Sequence, residues 1–94
     1  MFDIQRKAEG AIAISGRLDA ASAPQAETFL SDVSGDVTLD FTGLDYISSA
    51  GLGQVFALYR RLSASGSKLT LTGMSPQVRY VFSLARLDKV MEIR

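Results

Sequence analysis

The chain has no cysteine, no histidine and no tryptophan among its 94 residues. Without cysteine there is no disulfide framework, no thiolate metal site and no thiol nucleophile. Without histidine there is neither a Ser-His-Asp triad nor the commonest metal ligand. Charge of one sign is missing too: ten basic residues cancel ten acidic ones. A neutral chain with no basic cluster does not read as an electrostatic nucleic-acid binder. No apolar run approaches the ~20 residues needed to cross a bilayer. The segment Met1-Phe2-Asp3-Ile4-Gln5-Arg6 lacks the basic-then-apolar layout of a signal peptide. A soluble cytoplasmic protein is the expectation.

What is present is hydrophobic content of 47%, spread along the whole length, which fits neither disorder nor a coiled coil. A chain of this size makes one small domain, here residues 1–94, able to bury roughly 60–65% of its unfolded surface. Phe2 to Arg6 and Ala11 to Ser15 are short apolar runs, and Gly10 between them suits the turn of an antiparallel hairpin. Gly16-Arg17-Leu18-Asp19 then reads as a loop. Ser22 and Gln25 have capping-box spacing, with Pro24 tolerated in the first turn, which predicts a helix over Ser22–Val33.

Val37, Leu39 and Phe41 alternate with Thr38 and Asp40 as in a strand, and Thr42-Gly43-Leu44-Asp45 breaks that alternation as a loop would. From Ala50 to Ala64 the period is helical, with Leu52, Val55, Phe56, Tyr59 and Leu62 as the apolar stripe. Lys68 to Thr72 alternates again. Ser75-Pro76 starts a third helix reaching Ala85, with Val78, Val81, Phe82 and Ala85 inward, and Val90 to Ile93 is a last short strand. The order strand, strand, helix, strand, helix, strand, helix, strand predicts an α/β fold with a mixed, mostly parallel sheet and packed helices. Leu39, Val55, Phe56, Leu71 and Phe82 are the predicted core.

The candidate chemistry is sparse. Gly51-Leu52-Gly53 lacks the third glycine of a dinucleotide loop, and no phosphate-loop motif occurs. Close approach of helix to sheet accounts for the two glycines. Asp19, Asp40 and Asp45 fall near one end of the predicted sheet, but three acids of unknown separation read more readily as solvated loop residues than as a Mg²⁺ site. Ser48 and Ser49 stand where strand gives way to helix, the end of an open α/β sheet where working residues usually sit. Serine there is either a helix cap or a phosphorylation site.

The strand-loop-serine-helix stretch, with Lys68-Leu69-Thr70-Leu71, Ser75-Pro76 and Gly16-Arg17-Leu18-Asp19, resembles the STAS domain of bacterial anti-sigma factor antagonists along nearly the whole chain. The resemblance implies a protein that is not an enzyme and holds no cofactor or metal. Its partner would be an anti-sigma factor that is also a serine kinase, bound when the antagonist is unphosphorylated and released on phosphorylation. A serine phosphatase would reset the switch, and ATP and Mg²⁺ would belong to the kinase. The family's acceptor lies in Asp-Ser-Ser/Thr-Gly-Leu-Gly, matched here by Ser48-Ser49-Ala50-Gly51-Leu52-Gly53. That places the acceptor at Ser49 and partner binding around Asp19, Tyr46, Ser48 and Ser49. Ser48 stands in place of the aspartate, and Ala50 in place of the second hydroxyl residue. The expected state is a monomer contacting neither nucleic acid nor membrane. The rival reading is a constitutive STAS scaffold or regulatory subunit of a transporter or signalling complex, free of phosphate control. A small enzyme using the aspartates is the more distant rival.

Overall fold

Gly10 adopts a positive φ of 74° in the computed structural model, which describes all 94 residues. It turns strand β1 (Asp3–Ala8) back along β2 (Ala11–Leu18) as the expected antiparallel hairpin. Then follow α1 (Ala23–Leu30), β3 (Val37–Ile47), α2 (Ser49–Ala64), β4 (Leu69–Thr72), α3 (Pro76–Leu84), a 3₁₀ turn at Leu87–Lys89 and β5 (Glu92–Ile93). The five strands lie in sequence order, β1-β2-β3-β4-β5, and every pair after the first is parallel.

Alternation places Ile12, Ile14, Leu39, Phe41, Leu69 and Leu71 on one buried face. The other face, with Ala11, Ala13, Thr38, Asp40, Thr70 and Thr72, is only half-buried. The three helices therefore share the first face, as right-handed crossovers that always step the same way across the sheet require. Leu39, Val55, Leu71 and Phe82 are fully enclosed there, and the Phe41 and Phe82 rings meet at 6.1 Å.

Three readings of the sequence are corrected. Thr42–Asp45 is not a loop, and Gly16–Leu18 is not one either: both belong to the long pair β2–β3, which runs beyond the end of β4. Between the pairs Ala13–Asp40 and Ser15–Gly43, β3 carries one extra residue, and it carries another between Gly16–Leu44 and Arg17–Tyr46. Each extra residue is a β-bulge that stretches the inward spacing from two to three, so Phe41, Leu44 and Ile47 are buried in turn. A period of two cannot survive that.

α2 is also rotated from its expected setting. Its buried stripe is Gly51, Val55, Leu58 and Leu62, while Phe56 is only half-buried on the flank, stacked on Tyr59. Gly51 decides the rotation: a Cβ there would lie 2.6 Å from the Leu18 carbonyl oxygen and 2.9 Å from Ile47 Cγ1. Only a glycine lets the first turn of α2 sit on the ends of β2 and β3. Gly53 faces open space and plays no such part.

The third correction is α1, which is shorter than Ser22–Val33 and is not opened by a capping box. Ser22 is already helical in φ and ψ, and its side chain makes no cap bond. Asp19 holds that turn instead, because its Oδ1 accepts from the backbone N–H of both Ala21 and Ser22 at 3.1 Å. Smaller differences follow at α3, where Ala85 is exposed and Val81 half-buried, and at β5, where the 3₁₀ turn takes up residues before the strand.

Candidate functional site

The carboxyl ends of β2 and β3, the entry to α1 and the first turn of α2 converge at one corner. Ser48 joins the strand to the helix. Its backbone is extended, its N–H donates to the Leu18 carbonyl at 2.9 Å, and its Oγ accepts from the Gly51 N–H at 3.3 Å. Ser48 is thus the N-cap of α2, half-buried and engaged at both ends. Ser49 is the first helical residue and is exposed. Of the two serines considered from sequence, one is structural and the other is presented to solvent.

Beside them, Tyr46 is 40% exposed at the end of β3. The Arg17 guanidinium lies 4.2 Å over its ring, a cation–π contact set up by the direct pairing of Arg17 with Tyr46. Arg17 Nε also approaches Asp19 Oδ2 at 3.6 Å. The Asp19 carboxyl is held below its ordinary value, first by the N–H of Ser22, then by the Ser22 hydroxyl, the N–H of Ala21 and the charge of Arg17. Ser22 completes the turn by donating from Oγ to the Arg17 carbonyl at 2.8 Å and accepting from the Asp19 N–H at 3.0 Å.

The four residues singled out from sequence, Asp19, Tyr46, Ser48 and Ser49, therefore share this corner. Arg17 is the residue that sequence reading missed. It stands two positions before Asp19, on the same side of an extended chain, and that spacing was the available signal. Asp45 is exposed, on a bulge of β3. Asp40 belongs elsewhere: its Oδ1 accepts from the Thr42 N–H at 2.9 Å and from the Thr42 hydroxyl at 2.6 Å, and that hydroxyl is the main reason its carboxyl is held low. No three carboxylates gather as a cation site would need. The corner brings together one exposed hydroxyl at a helix start, one aromatic ring, and a cation and an anion beside it.

The family model described as "Mlab, STAS domain" matches residues 2–93. The anti-sigma-B factor antagonist of Listeria monocytogenes is 30% identical over 87 residues, covering 88% of this chain and 76% of that protein. Among solved structures, an anti-sigma factor antagonist from Mycobacterium paratuberculosis superposes with a TM-score of 0.80 at 21% identity, covering 99% of this chain and 83% of the other. The Bacillus cell fate determinant SpoIIAA in its phosphorylated form gives 0.71 at 23% identity, over 100% of this chain and 91% of the other. At such identities the two structures speak to the fold alone. No helix is long and apolar enough to cross a membrane.

Proposed function

Because the chain belongs to the STAS-domain family, together with anti-sigma factor antagonists, we propose that it works as such an antagonist by partner switching. Unphosphorylated, it docks on a serine-kinase anti-sigma factor through the corner of Asp19, Tyr46, Ser48 and Ser49. Phosphorylation of Ser49 ends the complex, and a phosphatase restores it. The domain has no catalytic role of its own and acts in the cytoplasm as a monomer. The observation carrying this reading is the division of labour between the serines: the Ser48 hydroxyl is held in the cap, whereas Ser49 is exposed at the first helical position.

Phosphate at that position carries about −1.5 to −2 charges at neutral pH and faces the positive end of the α2 dipole. The fold tolerates it; the partner surface, designed for a neutral hydroxyl beside Tyr46 and Asp19, does not. Incubation with the co-encoded kinases and ATP, read by intact mass, should add one phosphate to the wild type and none to Ser49→Ala, which still binds. Ser49→Asp should keep the fold and bind at least about tenfold more weakly, since like charges set together at an interface cost several kcal/mol. Loss of modification in Ser48→Ala but not Ser49→Ala would move the acceptor by one residue.

A second reading has its own support. Ser48 and Ala50 stand where the family's motif has aspartate and a second hydroxyl residue, so the acceptor motif is incomplete. On that reading the same corner binds a constitutive partner, and tight binding with neither serine modified is the result expected.

A further inference from the structure

The neutral charge of the whole chain hides an uneven distribution. Eight of the ten acids lie in residues 1–50, and seven of the ten bases in residues 51–94. Part of that second set gathers around the outward face of α3, a surface separate from the Ser49 corner. There Tyr80 is 63% and Leu84 66% exposed, one helical turn apart, the most exposed large apolar side chains after Met1. Two shallow depressions, of about 340 and 300 Å³, flank them and share Ser83 and Asp88. Arg79 lines one, and Arg86 and Lys89 the other.

These three cations stand against the single carboxylate of Asp88. None takes part in the chain's ion pairs, which join Arg17 to Asp19 and Lys68 and Arg94 to Glu92. Arg86 carries a further mark. Its φ of 62° is the only positive value outside glycine. It ends α3 in the left-handed conformation, its N–H donating to the Ser83 carbonyl at 3.0 Å. Glycine takes that position without strain. An arginine kept there retains a guanidinium at the end of the Tyr80–Leu84 strip at a conformational cost, and strain of that kind collects at working surfaces.

We propose that this strip is a second docking surface, for an acidic amphipathic segment of a partner protein. An apolar side chain of the partner would rest between Tyr80 and Leu84, with its carboxylates facing Arg79, Arg86 and Lys89. Charge complementarity selects an acidic occupant. Concavity and scale select a protein segment over a lipid surface: α3 has nine residues, about 13 Å of helix, and offers two depressions with an exposed tyrosine and arginines, the residue types that dominate protein interfaces.

The test uses the ¹⁵N-labelled full chain and a synthetic helical peptide with a Leu/Phe stripe flanked by glutamates. A twin peptide with lysine flanks and vesicles of phosphatidylglycerol serve as comparisons. Saturable shift changes confined to residues 79–90, absent with the lysine twin and weakening with added salt, are expected. Arg86→Gly is the sharpest variant: it should raise the unfolding temperature by relieving the backbone while weakening peptide binding. Tyr80→Ser and Arg79→Glu, both on exposed side chains, should each weaken binding at least several-fold with the spectrum otherwise unchanged. Equal binding of both peptides, shifts centred on residues 46–53, retention by vesicles without peptide binding, self-association through α3, or no saturable shift would each overturn the proposal.

Discussion

At the scale of single residues, the two glycines at the start of α2 make the clearest contrast. They are separated by one leucine, yet one is pressed against Leu18 and Ile47 and the other opens to solvent. Gly51→Ala must push the helix off the strand ends, and we expect a loss of about 1–3 kcal/mol, as for other overpacked sites. Gly53→Ala should gain about 0.5–1 kcal/mol from helix propensity alone. Urea unfolding of the pair measures both, and a similar sign for the two would contradict the close approach at Gly51. From sequence these residues were indistinguishable, because a glycine carries no side chain whose type reports its surroundings. The serines were more legible, since a strand period changing to a helix period marks the corner whatever the sheet does. The spacing of Arg17 from Asp19 was readable too, but its contact with Tyr46 was not, because a cation–π contact depends on cross-strand register, and two bulges set that register.

At the scale of elements, the order of strands and helices and the cap at Ser75 were readable from period and turn chemistry alone, and Ser75 Oγ does accept from the Val78 N–H at 3.2 Å. The rotation of α2 was not. Phe56 and Tyr59 are the largest apolar residues of that helix and drew the stripe toward themselves, whereas the packing centre follows Gly51, Val55, Leu58 and Leu62. The consequence is measurable: Leu58→Ala should cost about 2–5 kcal/mol. Phe56→Ala should cost clearly less than Leu58→Ala in the same denaturation experiment.

A second element-level feature was equally hidden. Arg61 donates from Nη1 to the Val33 carbonyl at 2.6 Å and from Nη2 to the Leu30 carbonyl, closing the end of α1 from α2. These are charge-assisted bonds, one to the last carbonyl of α1, which also accepts from the Val33 N–H at 3.2 Å, and one to the loop just past the helix. Arg61→Met should cost about 1–3 kcal/mol and speed amide exchange in residues 30–36 before any other segment. Unchanged exchange there would assign the arginine no such part.

At the scale of the whole molecule, acid stability follows from three carboxyls held below their ordinary values: Asp19 by the Ser22 turn, Asp40 by Thr42, and Glu92 by Lys68 and then Arg94. A folded value below the unfolded one means stability fully present above the ordinary carboxyl values of 3.8 and 4.5 and lost as pH falls through the lower folded ones. With no histidine, no side chain with an ordinary value near neutrality is present to add a second transition. The unfolding temperature should therefore be flat between about pH 6 and 8 and decline below about pH 4. Asp40→Asn should flatten that decline, and a decline beginning near pH 6 would contradict this account.

The arrangement of the sheet in sequence order bears on how the chain reaches this state. Each parallel pairing closes over about twenty intervening residues, and no strand waits for a partner from the far end of the chain. Closure entropy grows only slowly with loop length, so the three crossovers cost nearly the same, while such non-local parallel pairings form more slowly than the local β1–β2 hairpin. In a chain emerging from synthesis, each strand after β1 meets a partner already behind it. The hairpin and α1 can offer a template to β3, β3 to β4, and β4 to the two residues of β5. The last of these pairings, between Thr70–Leu71 and Glu92–Ile93, is the shortest in the sheet, so assembly ends at the edge where least remains to be ordered.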